Sequence, residues 1–310
     1  MKDDDLFQLT MVMKMKSSRS ILNEVKKIFY YHYPKKSFNN IKRCYILITK
    51  LFEGKFPGYK ACNTEYHDLN HTLDALLASA RLIDGYNRKE RELPLHLVIN
   101  ILQAALLHDT GYIQEEWDNA GTGAKYTKTH VGRGIAFVVK QNRKFLIDQD
   151  DVATISKLIR CTGLNMNIDE IPFGTEQERI AGSILGTADI LGQMSDRVYL
   201  EKLLFLYYEF REAGIPGFNT EFDIIKKTID FYKVTEKRLN NDFGRIYDYA
   251  SVHFSQCKNI DRNLYIEAIN KNIQYVNTII EDDSTNFRHK LKRGDWLSKN
   301  IEVDRREVVL

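Results

Sequence analysis

An all-α fold follows from three observations on the sequence. Apolar residues recur at helical spacing through most of the chain, and no run alternates apolar with polar residues as a half-buried strand would. The prolines and glycines of EGKFPGY and AGIPGF fall between the periodic segments, where they punctuate rather than interrupt.

In chain order, helices are expected through SRSILNEVKKIFYYHY and FNNIKRCYILITKLFEG, then through LNHTLDALLASARLIDGY and PLHLVINILQAALLHD, where Pro94 occupies a first turn that needs no amide donor. TKTHVGRGIAFVVKQNRKF, DDVATISKLIRCT and TEQERIAGSILGTADILGQM come next, followed by DRVYLEKLLFLYYEFREAG and EFDIIKKTIDFYKVTEKRL. GRIYDYASVHFSQC and DRNLYIEAINKNIQYVNTIIEDD complete the set. The aromatic-rich LLFLYYEF reads as plain helix core. The layout is an N-terminal helical arm (1–56), a central helical domain (57–214), a C-terminal helical extension (215–282) and a basic tail (283–310). The amphipathic extension suits either a cover for a site or a homodimer interface.

Composition narrows the classes. A net charge of +3 over 310 residues leaves no broad footprint for nucleic acid, so no nucleic-acid partner is expected. No apolar run approaches the roughly 18 residues that span a bilayer, so no membrane partner is expected either. MKDDDLFQLTMVMKMK places acids where a secretory signal needs basic residues. Cys44, Cys62, Cys161 and Cys257 are far apart, which argues against a disulfide framework or a cysteine zinc site. A cytoplasmic protein is expected.

The informative residues are carboxylates in apolar stripes. Leu97, Ile101, Ala104 and His108 form one helical stripe, and Val98, Leu102, Ala105 and Asp109 the next. Each is apolar until it ends in a histidine or an aspartate. Asp189 repeats the pattern beside Gly182, Leu185 and Gly186, small residues that would admit close backbone approach. His71 lies near the start of a helix that looks buried on two sides. His67 stands one turn earlier, or in the entering loop if Asp68 or Asn70 caps the helix. A buried carboxylate is costly unless paired, protonated or metal-bound. Imidazole nitrogen with carboxylate oxygen is a ligand set for a divalent metal, though each residue alone also has an ordinary structural explanation.

The order H…HD…D, carried by His71, His108-Asp109 and Asp189, resembles the HD-domain superfamily of metal-dependent phosphohydrolases. YHDLNH, Tyr66 to His71, is similar to the Y-H-N-x-x-H opening of cyclic nucleotide phosphodiesterases. The resemblance implies an HD-domain helical bundle in which His71, His108, Asp109 and Asp189 hold a metal, Asp109 being able to bridge to a second. It implies His67 as the general acid and His130 at a second metal or facing the phosphate. Lys125, in GTGAKYTKTH, and Asp68 are further candidates for a second metal or a phosphate contact, with Arg133 a further cation for the transition state. That glycine-rich stretch lacks P-loop spacing and reads otherwise as a connection into the next helix. Glu115 and Glu116 read as solvated, the alternative being that either serves as a distal ligand or base.

Departures from the resemblance narrow the substrate. Tyr112 stands where the phosphodiesterases carry the histidine of H-D-x-x-H, and Asp68 replaces their asparagine. No H-D-x-x-E-D and no G-Y-P is present, and IRCTGLN offers no histidine pair. The expected activity is hydrolysis of a phosphomonoester or phosphodiester, a nucleotide being the expected class, with one or two divalent ions among Mn, Fe, Mg, Ni and Zn. The rival reading is a catalytically silent HD scaffold that binds a nucleotide or partner.

Overall fold

The computed structural model describes residues 18–281 and 287–291. The expectations for the N-terminal stretch before Ser18, and for most of the basic tail, fall outside these residues. The described residues form eleven α-helices with no named strand, and a lone bridge joins Tyr59 to Glu115. The protein is all-α. No described helix is long and apolar enough to cross a membrane.

The helices are α1 (Ser18–His32), α2 (Asn39–Phe52), α3 (Leu69–Lys89), α4 (Leu95–Leu107), α5 (His130–Gln141) and α6 (Gln149–Arg160). They continue with α7 (Glu176–Met194), α8 (Tyr199–Glu212), α9 (Glu221–Lys237), α10 (Tyr249–Lys258) and α11 (Leu264–Glu281). Several begin at side-chain caps, as expected for Thr, Asn and Asp at these positions. Thr175 caps α7 through the Glu178 amide, and Thr220 with Asp223 forms a reciprocal capping box on α9. One boundary departs from the periodicity. After α9 the chain takes a wider π-turn over Arg238–Asp242 instead of ending, and Arg238 reaches back to the carbonyls of Cys161, Leu164 and Met166.

At the centre stands α3. It packs against α7, α10, α1 and α4, and 15 of its 21 residues are buried, which makes it apolar or paired on nearly every side. Two close approaches fix its neighbours. Gly85 admits the backbone of Tyr249 at the start of α10, and Gly192 of α7 lies where a Cβ would stand 2.9 Å from the Ala75 amide nitrogen. The small residues nearer Asp189 do something else: Gly182 and Gly186 make room mainly for the side chains of Phe173, Cys161 and Phe243. A single apolar core runs from Ile21 to Leu291. The start of the basic tail docks on α9, Arg288 donating to Glu221 with Nε at 2.7 Å.

A buried ion pair ties the N-terminal arm to this core. Arg81 is fully buried, and its guanidinium donates to Glu24 of α1 at 2.8 Å and to the Tyr265 hydroxyl of α11 at 3.1 Å. Burial raises the Glu24 carboxyl, but Arg81 outweighs it and holds the group below its ordinary value. Such a lowered carboxyl contributes stability above its unfolded pKa and loses it as pH falls. Glu24→Leu strands the buried guanidinium and is expected to cost about 3 kcal/mol near neutral pH. The gap to wild type should narrow below about pH 4, where the carboxylate protonates. Urea unfolding across that range measures both, and a cost that does not change with pH would remove the ion pair as its cause.

Candidate metal centre

Three helices bring the four histidine and aspartate side chains together. His71 is the third residue of α3, and Asp68 caps that helix by accepting the His71 amide itself at 2.8 Å. Asp68 is therefore a cap that positions His71, and His67 lies in the entering loop. His108 follows the last residue of α4, and Asp109 opens the short 3₁₀ turn Thr110–Tyr112. Gly111 in that turn is required by packing: a Cβ there would collide with the His130 carbonyl at the start of α5. Asp189 projects from α7, one turn before Gly192 draws that helix onto α3.

The donor atoms gather around the two imidazoles, and His71, His108 and Asp189 each offer a donor atom within 4.8 Å of the others. His71 Nε2 lies 3.2 Å from Asp109 Oδ2 and 3.1 Å from Asp189 Oδ1. His108 Nε2 lies 3.2 Å from Asp109 Oδ2, 3.4 Å from Asp189 Oδ1 and 3.2 Å from His71 Nε2. Ligands at about 2.1 Å from a divalent ion are separated by about 3.0–3.4 Å for angles between square and tetrahedral. The observed separations fall on those edges. Asp109 Oδ2 and Asp189 Oδ1 are also buried without an aligned hydrogen bond, as oxygens would be whose lone pairs are reserved for an ion. His108 gives its Nδ1–H to the Ala105 carbonyl at 2.9 Å, which leaves Nε2 as the nitrogen turned to the centre. The residues fit a divalent cation.

Without an ion, protons neutralise the cluster. Burial lowers His71, yet Asp109 and Asp189 overcome it and hold the imidazole up at about 9. His108 is likewise held high against burial, while Asp109 and Asp189 are held low by the two imidazoles. Loading a cation must expel those protons, so binding is expected to tighten as pH rises.

Beside His71, whose ring lies 6.0 Å from that of His67, three further rings gather. Tyr112 is stacked on His67 at 4.2 Å between centroids and on His130 at 4.6 Å. The Tyr112 hydroxyl lies 3.3 Å from His67 Nε2, while His67 Nδ1 donates to Glu209 Oε2 at 2.6 Å. Glu209 is buried on α8 and also accepts the Tyr66 amide at 2.8 Å. Nothing in the reading of LLFLYYEF as helix core anticipates this role. The signal was nonetheless of the kind that marks Asp109 and Asp189, a carboxylate embedded in an apolar helical run. His130 gives Nδ1–H to the Thr127 carbonyl at 2.7 Å, and burial holds its imidazole below the ordinary value, so neutral His130 keeps a lone pair on Nε2.

The two nominated cations are engaged elsewhere. Lys125 pairs with Asp118 at 2.5 Å and also donates to the Ala120 carbonyl, inside a 3₁₀ turn over Gly123–Tyr126. Thr122 caps that turn, and Glu212 of α8 accepts from the Thr122 amide at 2.5 Å. The glycine-rich stretch is thus a tied turn, neither a phosphate loop nor a loose connection. Arg133 donates to the Gly111 and Ile113 carbonyls and to Glu115 at 3.0 Å, so it braces the turn after Asp109. Glu115 is not merely solvated, and Glu116 accepts the Gly58 amide at 3.3 Å.

A family model described as Npun_R2479-like matches residues 115–241, less than half of the chain. The match takes in His130, Asp189 and Glu209 but not His67, His71, His108 or Asp109. No curated protein and no solved structure matches the chain.

Mn²⁺ suits a mixed imidazole and carboxylate set and serves as the probe. Calorimetric titration is expected to give a single site that Asp109→Asn abolishes while far-UV circular dichroism stays unchanged. Unaltered Mn²⁺ affinity in that variant would exclude Asp109 as a ligand.

Proposed function

We propose that the protein is a metal-dependent phosphohydrolase of the HD-domain type, acting on a phosphomonoester or phosphodiester of nucleotide class in the cytoplasm. The observation that carries this reading is the convergence of His71, His108, Asp109 and Asp189 at edges of 3.1–3.4 Å beneath a histidine held by a buried glutamate. The four residues would hold a divalent ion, which when bound supplies an acidified water and positive charge against phosphoryl oxygens. The reading takes one ion rather than two. The donors gather around the His71 and His108 imidazoles, and His130 is stacked against Tyr112.

The chain's own residues supply the rest. Glu209 anchors His67 Nδ1–H, which fixes the ring and leaves Nε2 as the atom that carries a proton to a leaving alkoxide. Tyr112 supports that nitrogen with its hydroxyl and the ring with its face. Asp68 and the Ala105 carbonyl hold His71 and His108 in place, which pre-organises the centre. This pairing of a held proton donor with a convergent ligand set favours chemistry over a silent scaffold.

The test is a screen of nucleoside phosphates, cyclic nucleotides and nitrophenyl phosphates with each divalent metal. His67→Ala is expected to retain Mn²⁺ yet lose turnover, least for nitrophenyl esters whose leaving groups need no proton. Equal loss for all esters would remove the general-acid role. Glu209→Gln is expected to lower kcat by roughly 10–100-fold, the usual range for a residue that orients a functional imidazole, with Mn²⁺ affinity unchanged. Absence of hydrolysis across the screen, with the metal bound, would leave the scaffold reading standing.

A further inference from the structure

Helix α3 carries a second convergence of metal-binding side chains. Asp84 lies 13 residues after His71, about 20 Å farther along the helix at 1.5 Å per residue. Its carboxylate is buried, and two other helices face it. Oδ1 accepts from His32 Nε2 of α1 at 2.8 Å. Oδ2 accepts from His253 Nδ1 of α10 at 2.7 Å and lies 3.5 Å from Cys257 Sγ on the same helix. His253 and Cys257 are four residues apart and so share one face of α10. Asp84, His253 and Cys257 each offer a donor atom within 4.8 Å of the others. A cleft of about 540 Å³ that His32, Arg88 and Glu92 help to line opens beside them and gives solvent a path in.

We propose that His32, Asp84, His253 and Cys257 form a second cation site, selective for a thiophilic divalent ion such as Zn²⁺. The donor set of two imidazoles, one carboxylate and one thiolate matches tetrahedral zinc in number and type. Binding releases the Cys257 thiol proton to solvent and leaves each imidazole neutral, its N–H on the ring nitrogen turned away from the ion. The nitrogen–oxygen separations then open by about half an ångström to reach the edges of a zinc tetrahedron. Arg88 is the group that must yield: its Nε holds Asp84 Oδ2 at 2.8 Å and its Nη2 faces Cys257 Sγ at 3.6 Å. It lies at the cleft, stacked over Tyr31 at 4.1 Å, with room to swing outward. Glu92, 3.2 Å from His32 Nδ1, can fix that ring from behind. The ion would clip α1, α3 and α10 together, joining the arm, the centre and the C-terminal extension.

Co²⁺ separates this site from the first, whose donors include no sulfur. Titration of the full chain is expected to produce an intense near-ultraviolet sulfur-to-cobalt band that Zn²⁺ abolishes. Cys257→Ser should remove the band, whereas Asp109→Asn and Cys62→Ser should keep it. Arg88→Ala should tighten Co²⁺ binding several-fold by removing the competitor, and Zn²⁺ should protect Cys257 from alkylation in wild type. Lack of a band at saturating Co²⁺, or a band that survives Cys257→Ser, would overturn the site. So would weaker binding in Arg88→Ala, which would make the cluster a hydrogen-bond network only. None of these outcomes depends on phosphate-ester hydrolysis.

Discussion

Helix α3 is surrounded, and that constraint organises the molecule. A helix buried on nearly every side can carry charge only where another element brings a partner, because an unpaired ion in a dry interior costs several kcal/mol. Several of its buried charged groups accordingly draw partners from neighbouring elements. Asp68 closes its N-terminus, and His71 meets α4 and α7. Arg81 meets α1 and α11, while Asp84 meets α1 and α10. The apolar residues between them supply the cohesion, and the polar ones specify which helix stands against which face.

The same logic explains how four titratable groups share the candidate centre. Each is disfavoured by burial taken alone, and each is restored by the opposite charges around it, so removal of one unbalances the others. Their convergence also depends on groups with no chemistry of their own. Gly111 lets the turn after His108 press onto α5, and Gly192 lets α7 approach α3 closely enough for Asp189 to reach His71. A centre assembled from three helices in this way is rigid because its positioning contacts are backbone contacts.

Much of this was legible in the sequence, and the failures share a cause. Helical periodicity located the helices to within about a turn because amphipathicity is a local property, except that α10 begins at Tyr249, five residues after the expected start at Gly244. Carboxylates interrupting apolar stripes pointed to Asp109 and Asp189 for the same reason. What escaped depended on distant partners. Glu209 matters through His67, 142 residues away, and nothing near it in the chain reveals that pairing. Lys125 and Arg133 looked available as phosphate contacts because their partners, Asp118 and Glu115, are chosen by how the loop folds. Asp84 and His32 form no local motif and Cys257 counted only as an isolated cysteine, since their three helices are far apart in sequence.

The engagement of Lys125 and Arg133 bears on the proposed chemistry. A phosphoryl group brings negative charge into a centre already lined by Asp109, Asp189 and Glu209. Neither nominated cation is placed to offset it, because one is held by Asp118 and the other braces the backbone after Asp109. Among the site residues described, that leaves the His67 imidazole and the ion that His71, His108, Asp109 and Asp189 would hold. On the proposed reading, hydrolysis would therefore rest on the ion more heavily than in a site with a dedicated lysine or arginine clamp. A divalent charge at a centre of low dielectric can meet that demand, since the same burial that penalises the bare carboxylates strengthens their attraction to a cation.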